Sequence, residues 1–557
     1  MQIYSIFLLF SKDELNAIRM DMYAECSIQK ILKNMSTKTA IRGPLVILVF
    51  AIISAFHYDP GDDVIELTLK GSDIRQVIHG FGASDAWSCQ FVGSNWPLEK
   101  REQIADWLFS TGKDHHGNPD GIGLSMWRFN IGGGSAYQGE DSEISDEWRR
   151  ADSFMTGKDS FDGDRQQGQR WFLRAASERG VSLFTGFVNS PPVFLTKNGK
   201  GFSSDGSSYN LPPENYGLFA EYLANVVKTI DKNDGIRFSY ISPFNEPQWD
   251  WTNKTQEGTP AQNSEIAEVT RIINRTFSDR GITSKLEIPE TAQFEYLYED
   301  HNRPGRGSQI SAFFDPSSPH YLGNLSHVAP KVAAHSYFTT WPPDRQAGIR
   351  QEVAAAVSAN PRPVELWMTE YCVLENNPVI KGNGRDLGMN TALYVARVIW
   401  SDLVVANAAS WQWWLGVSPY DYKDGLVYTD YDKHDGNIYD SKLLWVMGNF
   451  SRFVRPGMKR VELSRNDGLS TAEMMEDIMA TAFIMPGTPG TTTVIINYGN
   501  RERVVRIVPE DLPETGTLSC YLTNGSQGNN LSCQGEYAPG ENLIIPPRSV
   551  VTVTNMP

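Results

Sequence analysis

Eight short apolar segments rich in β-branched and aromatic residues recur along the chain, and amphipathic segments lie between them. They occupy positions 78–86, 124–131, 183–189, 238–244, 286–291, 332–337, 366–371 and 409–415. Runs of this kind predict eight buried strands. Each interval is long enough to hold a crossover helix, and this favours parallel pairing of the strands.

Two of the intervals carry apolar residues at helical spacing. One has them at positions 104, 107 and 108, and the other at Leu218, Tyr222, Val226 and Ile230. Eight alternating strand and helix units predict a closed (β/α)8 barrel of the TIM type over roughly residues 75–442. An open, doubly wound parallel sheet is the alternative, although no glycine-rich phosphate loop follows the first strand.

The sequence from about residue 443 has a different texture. Short runs of β-branched residues at 481–484, 492–496, 504–508, 518–522 and 550–554 are separated by Gly, Pro and Asn. This pattern predicts an antiparallel β-sandwich over residues 443–557. A similar alternating segment at 64–69 predicts that residues 57–74 add an N-terminal strand to it. Two cysteines in this region, Cys520 and Cys533, could close a small disulfide loop in an exported protein.

The first 56 residues are predicted to be a leader. Their apolar run, 45–56, follows Lys38 and Arg42, which is the order of charge and apolar residues in a secretory signal. Met35 lies just upstream and is a candidate for the true start. The run is short for a bilayer span, but a membrane anchor is the alternative. We therefore expect a secreted protein that is free of the membrane once the leader is removed.

Charge and cysteine spacing narrow the classes of partner. The chain has 50 Lys and Arg against 66 Asp and Glu, a formal net charge of −16. Nucleic acid and anionic membranes are therefore unlikely partners, since both are bound through cationic surfaces. The five cysteines form no CxxC or Cys/His pattern typical of zinc sites. We expect no metal, no cofactor and a monomeric protein.

Two glutamates occupy strand ends where a barrel of this type places its reactive side chains. Glu246 follows the fourth predicted strand within Asn245-Glu246-Pro247, and Glu370 ends the seventh. We expect the two carboxyl groups to face one another across a cleft. Cleavage of a glycosidic bond needs such a pair, one to protonate the leaving oxygen and one to act at the anomeric carbon.

Three further motifs make the resemblance to a known family specific. They are His-Gly-Phe-Gly-Ala-Ser-Asp-Ala-Trp at 79–87, Arg-Phe-Asn-Ile-Gly-Gly at 128–133 and Phe-Ser-Arg-Phe-Val-Arg-Pro-Gly at 450–457. With the two glutamates, they resemble glycoside hydrolase family 30, whose members act with retention of configuration. Within that family the chain looks most similar to the branch containing endo-β-1,6-galactanases. The resemblance implies a barrel with a side β-sandwich built from both ends of the chain.

The resemblance also implies roles for individual residues. Glu246 would be the general acid/base and Glu370 the nucleophile. The residues implied to bind substrate or support these two are Asp85, Trp87, Arg128, Asn130, Asn245, His335, Tyr337, Trp411 and Trp413. Among them, Arg128 would keep the nucleophile ionised and Tyr337 would orient it. Trp413, with Trp411 on the same strand face, would form the aromatic floor under a sugar ring, with Trp414 as the alternative.

Other functions and substrates compete with this interpretation. A carbohydrate-binding protein without turnover would keep the aromatic cleft, but the presence of both glutamates argues against it. A serine hydrolase is disfavoured because no Gly-x-Ser-x-Gly motif occurs. The expected substrate is a β-linked polysaccharide, with β-1,6-galactan first. Glucuronoxylan, β-1,6-glucan and β-xylosides are the alternatives.

Overall fold

The computed structural model of the protein describes residues 64–512 and 516–556. The predicted leader, Met35 and positions 57–63 lie outside these residues. In chain order the described strands are β1 (Val64–Val77), β2 (Gly80–Ser84), β3 (Met126–Asn130), β4 (Met155–Gly157), β5 (Ser160–Phe161), β6 (Leu183–Phe187), β7 (Tyr240–Ser242), β8 (Lys285–Leu286), β9 (Pro289–Thr291), β10 (Lys331–His335), β11 (Glu365–Glu370), β12 (Ser410–Ser418), β13 (Gly425–Thr429), β14 (Ile438–Asp440), β15 (Lys459–Arg465), β16 (Ile478–Ile484), β17 (Thr491–Asn497), β18 (Arg503–Glu510), β19 (Leu518–Asn524), β20 (Ser532–Tyr537), β21 (Asn542–Ile545) and β22 (Ser549–Thr554).

The described α-helices lie mostly between the barrel strands. They are α1 (Ser88–Asn95), α2 (Leu98–Phe109), α3 (Ser135–Gln138), α4 (Gln167–Glu178), α5 (Tyr216–Asp234), α6 (Asn263–Asp279), α7 (Glu295–Tyr298), α8 (Gln309–Phe314), α9 (Pro343–Ala359), α10 (Met389–Val404), α11 (Lys442–Ser451) and α12 (Thr471–Met474). Within the described part of the chain, no helix is long and apolar enough to cross a lipid bilayer.

The barrel strands pair in parallel around a closed ring. Strand β12 pairs with β2, and the order continues through β3, β6 and β7 to β8. On the other side, β12 pairs with β11, then β10 and β9. Because only Glu287 and Ile288 separate β8 from β9, these two pieces form one fifth strand that closes the ring. The predicted (β/α)8 barrel is confirmed, and the open doubly wound sheet is excluded.

Helix α5 faces the barrel with a slightly different stripe from the predicted one. Tyr222, Val226 and Ile230 are buried as expected, but Leu218 is 41% exposed and Phe219 is buried in its place. The reason is geometric. A four-residue step overshoots a turn of 3.6 residues by about 40°, so three such steps carry a residue off the buried face.

The side sheet has nine strands in the order β20, β19, β22, β17, β16, β15, β1, β18 and β21. Strand β1 lies inside it, antiparallel to β15 and parallel to β18, so the sheet is mixed where an antiparallel one was predicted. Leu67 and Leu69 of β1 share one core with Leu518 and Leu522 of β19, which lies five places away. The sheet therefore folds over on itself, and the predicted side β-sandwich is confirmed.

Helix α11 lies where the sequence changes texture. The predicted domain boundary at residue 443 falls inside this helix, and the first sandwich strand after it, β15, begins only at Lys459. Every residue from 443 to 451 is buried. The helix contacts β2 and β13 of the barrel sheet and β19 and β22 of the sandwich.

The two sandwich cysteines are free thiols rather than the predicted disulfide. They lie on neighbouring strands, but the register places Cys520 opposite Gly535 and Cys533 opposite Tyr521. Cys520 points into the sandwich core, whereas Cys533 packs against the larger core that includes the barrel. Side chains on opposite faces of a sheet cannot be bridged without backbone movement.

Candidate active site

The structure brings the two rim glutamates together. Glu370 ends β11, and Glu246 lies four residues beyond the end of β7, so both stand at the carboxyl ends of barrel strands. One carboxylate oxygen of each, together with His335 Nδ1, forms a group whose atoms all lie within 4.8 Å of one another. Both glutamates line a cleft of about 680 Å³.

Glu370 is held by a cation and a phenol. Arg128 Nη1 donates a hydrogen bond to Glu370 Oε2 at 2.9 Å, and the Tyr337 hydroxyl donates to Oε1 at 3.0 Å. Arg128 is fully buried. Burial disfavours its charge, but Glu290 and Glu370 outweigh that effect and raise the pKa of Arg128 above its ordinary value. The guanidinium therefore stays charged beside Glu370.

Glu246 is bonded to an imidazole instead. Glu246 Oε1 lies 2.9 Å from His335 Nδ1, and Glu370 Oε1 lies 3.7 Å from the same nitrogen. Burial raises the pKa of Glu246, and the contact with His335 offsets only part of that rise. The backbone of Glu246 has a φ of 45°, a left-handed conformation that is strained for a glutamate and typical of functional positions.

His335 has a carboxyl group within hydrogen-bond distance of each ring nitrogen. Its Nε2 lies 3.1 Å from Glu290 Oε2, so carboxylates flank the ring on both sides. Burial alone would favour the neutral ring, but Glu370, Glu246 and Glu290 together raise the pKa of His335 to about 10. At neutral pH the ring is an imidazolium that donates to both neighbours.

Glu290 is a buried member of the site to which sequence analysis assigned no role. It lies on β9 and is fully buried. It accepts hydrogen bonds from the Ser242 hydroxyl at 2.8 Å and the Thr369 hydroxyl at 2.5 Å. Despite the burial, Arg128 and His335 hold its pKa at about 2. Its position at a strand end, at the same rim as Glu246 and Glu370, was the available signal.

Several residues predicted to bind substrate lie behind the cleft wall. Of the residues predicted to bind substrate or to support the glutamates, Trp87 and Tyr337 line the cleft. Five others lie behind its lining: Asp85, Arg128, Asn130, Asn245 and His335. Asp85 illustrates this placement. Its Oδ1 accepts from the Asn130 backbone N–H at 2.7 Å and from Gln169 Nε2 at 2.9 Å. Burial raises its pKa to about 7. It supports the β2 and β3 ends from within.

The tryptophan of β12 that lines the cleft is Trp414, one position after the predicted Trp413. Trp411 and Trp413 are fully buried, and their indole N–H groups donate to Asp402 and to the Asp424 carbonyl. Trp414 lines the cleft, with its ring 5.4 Å from Trp87 in an edge-on arrangement. The register of β12 against β2 shifts between positions 413 and 415. Such a bulge redirects a side chain, and here it turns Trp414 into the cleft.

The cleft has a second aromatic wall that sequence analysis missed. Trp249 lies three residues after Glu246, and its ring stands 6.1 Å from that of Phe338. Both line the cleft, with Trp251 and Arg303 nearby. Trp249 thus lies close to Glu246 along the chain. Trp414 lies near Glu370, because its backbone N–H donates to the carbonyl of Tyr371, the residue after Glu370. Both aromatic pairs and both carboxyl groups line the same cleft.

Glu246, His335 and Glu370 are also the donor types that a divalent cation would use. A protonated imidazole is not a metal ligand, and His335 is an imidazolium bonded to carboxylates at both nitrogens. We assign no metal to this cluster on the chemistry of its donors.

Comparisons with known proteins agree with this geometry. The family model of O-glycosyl hydrolase family 30 matches residues 64–428. An endo-β-1,6-galactanase of Hypocrea rufa is 24% identical over 409 residues, which cover 71% of this chain and 75% of that protein. The glucuronoxylanase XynC of Bacillus subtilis is 25% identical over 67% of this chain and 71% of its own length. The structure of a conserved exported protein from Bacteroides fragilis, 34% identical, has a TM-score of 0.82 and covers 88% of this chain and 99% of that one.

Proposed function

The chain belongs to glycoside hydrolase family 30, and from this premise we propose that it is a secreted, retaining glycosidase that cleaves a β-linked polysaccharide through Glu246 and Glu370. The observation that carries the proposal is the 4.8 Å limit on the separation of their carboxylate oxygens. Retaining enzymes hold the two carboxyl groups about 5 to 5.5 Å apart, and inverting enzymes about 6.5 to 9.5 Å apart to admit a water molecule.

In the first step, Glu370 attacks the anomeric carbon while protonated Glu246 donates its proton to the departing oxygen. A glycosyl–enzyme ester forms on Glu370. In the second step, Glu246, now ionised, removes a proton from a water molecule that attacks the ester and releases the sugar. Arg128 and Tyr337 hold the nucleophile in place, and the raised pKa of Glu246 suits it to donate near neutral pH.

The two aromatic walls divide the roles of the cleft. The sugar attacked by Glu370 would pack against the cleft-facing surfaces of Trp414 and Trp87, which line the cleft with the nucleophile. The leaving sugar would lie against Trp249 and Phe338, beside the proton donor. Stacking on rings and bonding to a few polar groups is how such clefts hold carbohydrate.

A path of rings leads from the nucleophile side to the surface. The Arg149 guanidinium lies 5.8 Å from the Trp87 ring centre and 5.0 Å from that of Tyr420. The Tyr420 ring is 6.0 Å from Tyr431, which is 55% exposed and fixed by a 2.7 Å hydrogen bond from its hydroxyl to Asp146. An exposed, immobilised ring beyond the cleft suits further sugars of a chain, and this supports endo action.

The substrate we favour is β-1,6-galactan, on the likeness to the Hypocrea rufa enzyme. Glucuronoxylan is the first alternative, on the likeness to the Bacillus subtilis enzyme, followed by β-1,6-glucan and β-xylosides. The test is to incubate the protein with each glycan and measure product lengths and the anomer first released. Internal cleavage of β-1,6-galactan with a β-anomer as the first product supports the proposal. Cleavage of xylan alone would change the substrate, and an α-anomer would overturn the retaining mechanism.

A further inference from the structure

Glu290 touches the partners of both reacting glutamates but neither reacting carboxyl group. His335, which it binds, is the partner of Glu246. Arg128, whose Nη2 lies 3.5 Å from Glu290 Oε1, is the partner of Glu370. In addition, the Glu246 backbone N–H donates to the Glu290 carbonyl at 2.9 Å. Glu290 has a φ of 59°, the same strained region as Glu246. One side chain thus joins both halves of the site.

The charges of this buried group do not balance if every acid is ionised. Glu246, Glu290 and Glu370 would supply three negative charges, against two positive charges from Arg128 and His335. Uncompensated charge in a buried site is costly, so one carboxyl group should hold a proton. Glu290 is the least suited to do so, since two cations and two hydroxyl donors stabilise its ionised form. Glu370 receives the direct Arg128 and Tyr337 bonds. Glu246 remains.

We propose that Glu290 is a positioning residue that keeps Glu246 protonated, by supplying the negative charge that fully occupies the two cations of the site. The proposal rests on the roles given to Glu246 and Glu370 above. With Glu290 ionised, Arg128 and His335 are neutralised by Glu290 and Glu370, and the neutral site contains Glu246 as an acid. Without the Glu290 charge, balance would require either that Glu246 ionise, which removes the proton donor, or that His335 lose a proton.

Among the other titratable groups near this cluster, Asp85 interacts with Arg128, and burial raises its pKa to about 7, so it adds negative charge only as the pH rises through that value. The remaining groups do not change the balance. Tyr337 and Cys372 are buried, and burial raises the pKa of each well above its ordinary value, so both are neutral. Glu287, on the same fifth strand, forms a salt bridge with Lys331 at the opposite end of the barrel. That pair contributes one charge of each sign.

The test is the isosteric variant Glu290→Gln with Glu287→Gln as its matched control. Both replace a buried glutamate of the fifth strand by an amide. Loss of Glu287 lets buried Lys331 release its proton, so the net charge near the cluster is unchanged. Removal of a neighbouring negative charge lowers the pKa of Glu246 and of His335. We therefore expect Glu290→Gln to move the basic limb of kcat/KM against pH down by about 1 unit or more, and Glu287→Gln to leave it in place.

A second measurement does not need turnover. The chain has nine histidines, and in protein labelled with ¹⁵N-histidine the ring signals of His335 are identified by their loss in His335→Gln. In the wild type we expect both ring nitrogens to stay protonated through pH 8. In Glu290→Gln, one should deprotonate at lower pH. Ser242→Ala removes one donor to Glu290 without changing any charge, so Glu290 stays ionised and neither readout should move down in pH.

The outcomes separate the two proposals. If the wild type cleaves none of the glycans, the proposed function fails, while the histidine signals still decide the role of Glu290. If Glu290→Gln keeps the wild-type His335 titration and basic limb, the charge-balance role is overturned. If Glu290→Gln does not fold, the wild-type protein still decides, because a His335 ring that loses a proton below pH 8 overturns the charge-balance role.

Discussion

The same two strands build a charged cluster at each end of the barrel. The fifth strand provides Glu287 nearer its amino end and Glu290 nearer its carboxyl end, and β10 begins with Lys331 and ends with His335. At the amino end, Glu287 and Lys331 form a one-to-one pair, with the ammonium group 3.2 Å from the Tyr240 ring centre and 2.9 Å from that of Trp367. At the carboxyl end, three acids share two cations. The balanced cluster can only stabilise, whereas the unbalanced one holds a proton available for chemistry.

The largest expected effect comes from a substitution in the cluster at the carboxyl end of the barrel. Replacing Glu370 by Gln removes the nucleophile, and we expect kcat to fall by about 10⁴-fold or more, as when other enzymes lose their nucleophile. The folded structure should survive, because the Gln carbonyl can still accept from Arg128 while its amide N–H donates to the Tyr337 hydroxyl oxygen. Mass spectrometry with a slow, activated glycoside should show a covalent sugar on the wild type and none on the variant. A variant with full turnover would remove Glu370 from its role.

The balanced end should respond in the opposite way. Lys331→Met leaves Glu287 buried without its cation, and breaking such a pair costs about 3 to 5 kcal/mol of stability. Urea unfolding measures this loss. Below the unfolding transition we expect kcat within about twofold of the wild type, since the lysine touches no cleft residue. A large fall in kcat with unchanged stability would show that the two ends are not independent.

The tryptophans of β12 sharpen the comparison within one strand. Trp414→Ala should lower kcat/KM by about 10- to 100-fold, the loss of roughly 1.4 to 2.7 kcal/mol of ring stacking, with little change in stability. Trp413→Ala should instead destabilise the protein by about 3 to 5 kcal/mol, because it leaves a cavity in the core. Kinetics and chemical unfolding of both variants separate the effects. The reverse pattern would return the sugar floor to Trp413.

The smallest expected effect lies at the far end of the ring path. Tyr431→Ala should lower kcat/KM on long polysaccharide by about three- to tenfold, roughly 1 kcal/mol of stacking, and leave the shortest cleaved oligosaccharide unaffected. Ile544, a residue 57% exposed on β21 in the sandwich, provides the control variant Ile544→Ala. An equal loss on short and long substrates would show that Tyr431 binds no distant sugar.

Sequence reasoning located what depends on strand order and missed what depends on local backbone geometry. Glu246 and Glu370 could be placed on one rim because parallel barrel strands all end at that rim. Trp414 could not be chosen over Trp413, because alternation along a regular strand does not reveal a bulge. Glu290 was visible at its strand end, but its value depends on Arg128 and His335, which come from distant parts of the chain.

The sandwich shows the same division. Its strands were recognised by their turn residues, and the N-terminal contribution by its alternation. The face of the sheet on which Cys520 and Cys533 each lie could not be predicted from the sequence, since it depends on the register between β19 and β20. The predicted boundary at 443 lies within a helix for a different reason. Helix α11 is mostly apolar and is buried from residue 443 to 451, so its composition resembles a core strand more than an amphipathic barrel helix.

That helix has a consequence for how the molecule can be divided. Asn449 exchanges hydrogen bonds with Thr552 of the last strand at 3.0 and 2.8 Å, and the Ser451 hydroxyl donates to the carbonyl of Ile122 at the entry to β3. Cutting the chain after residue 458 would expose the apolar side chains of helix α11 to water, directly behind the first two strands of the barrel. The C-terminal region therefore completes the hydrophobic core behind the barrel. The barrel and the sandwich cannot be inherited or engineered as separate parts.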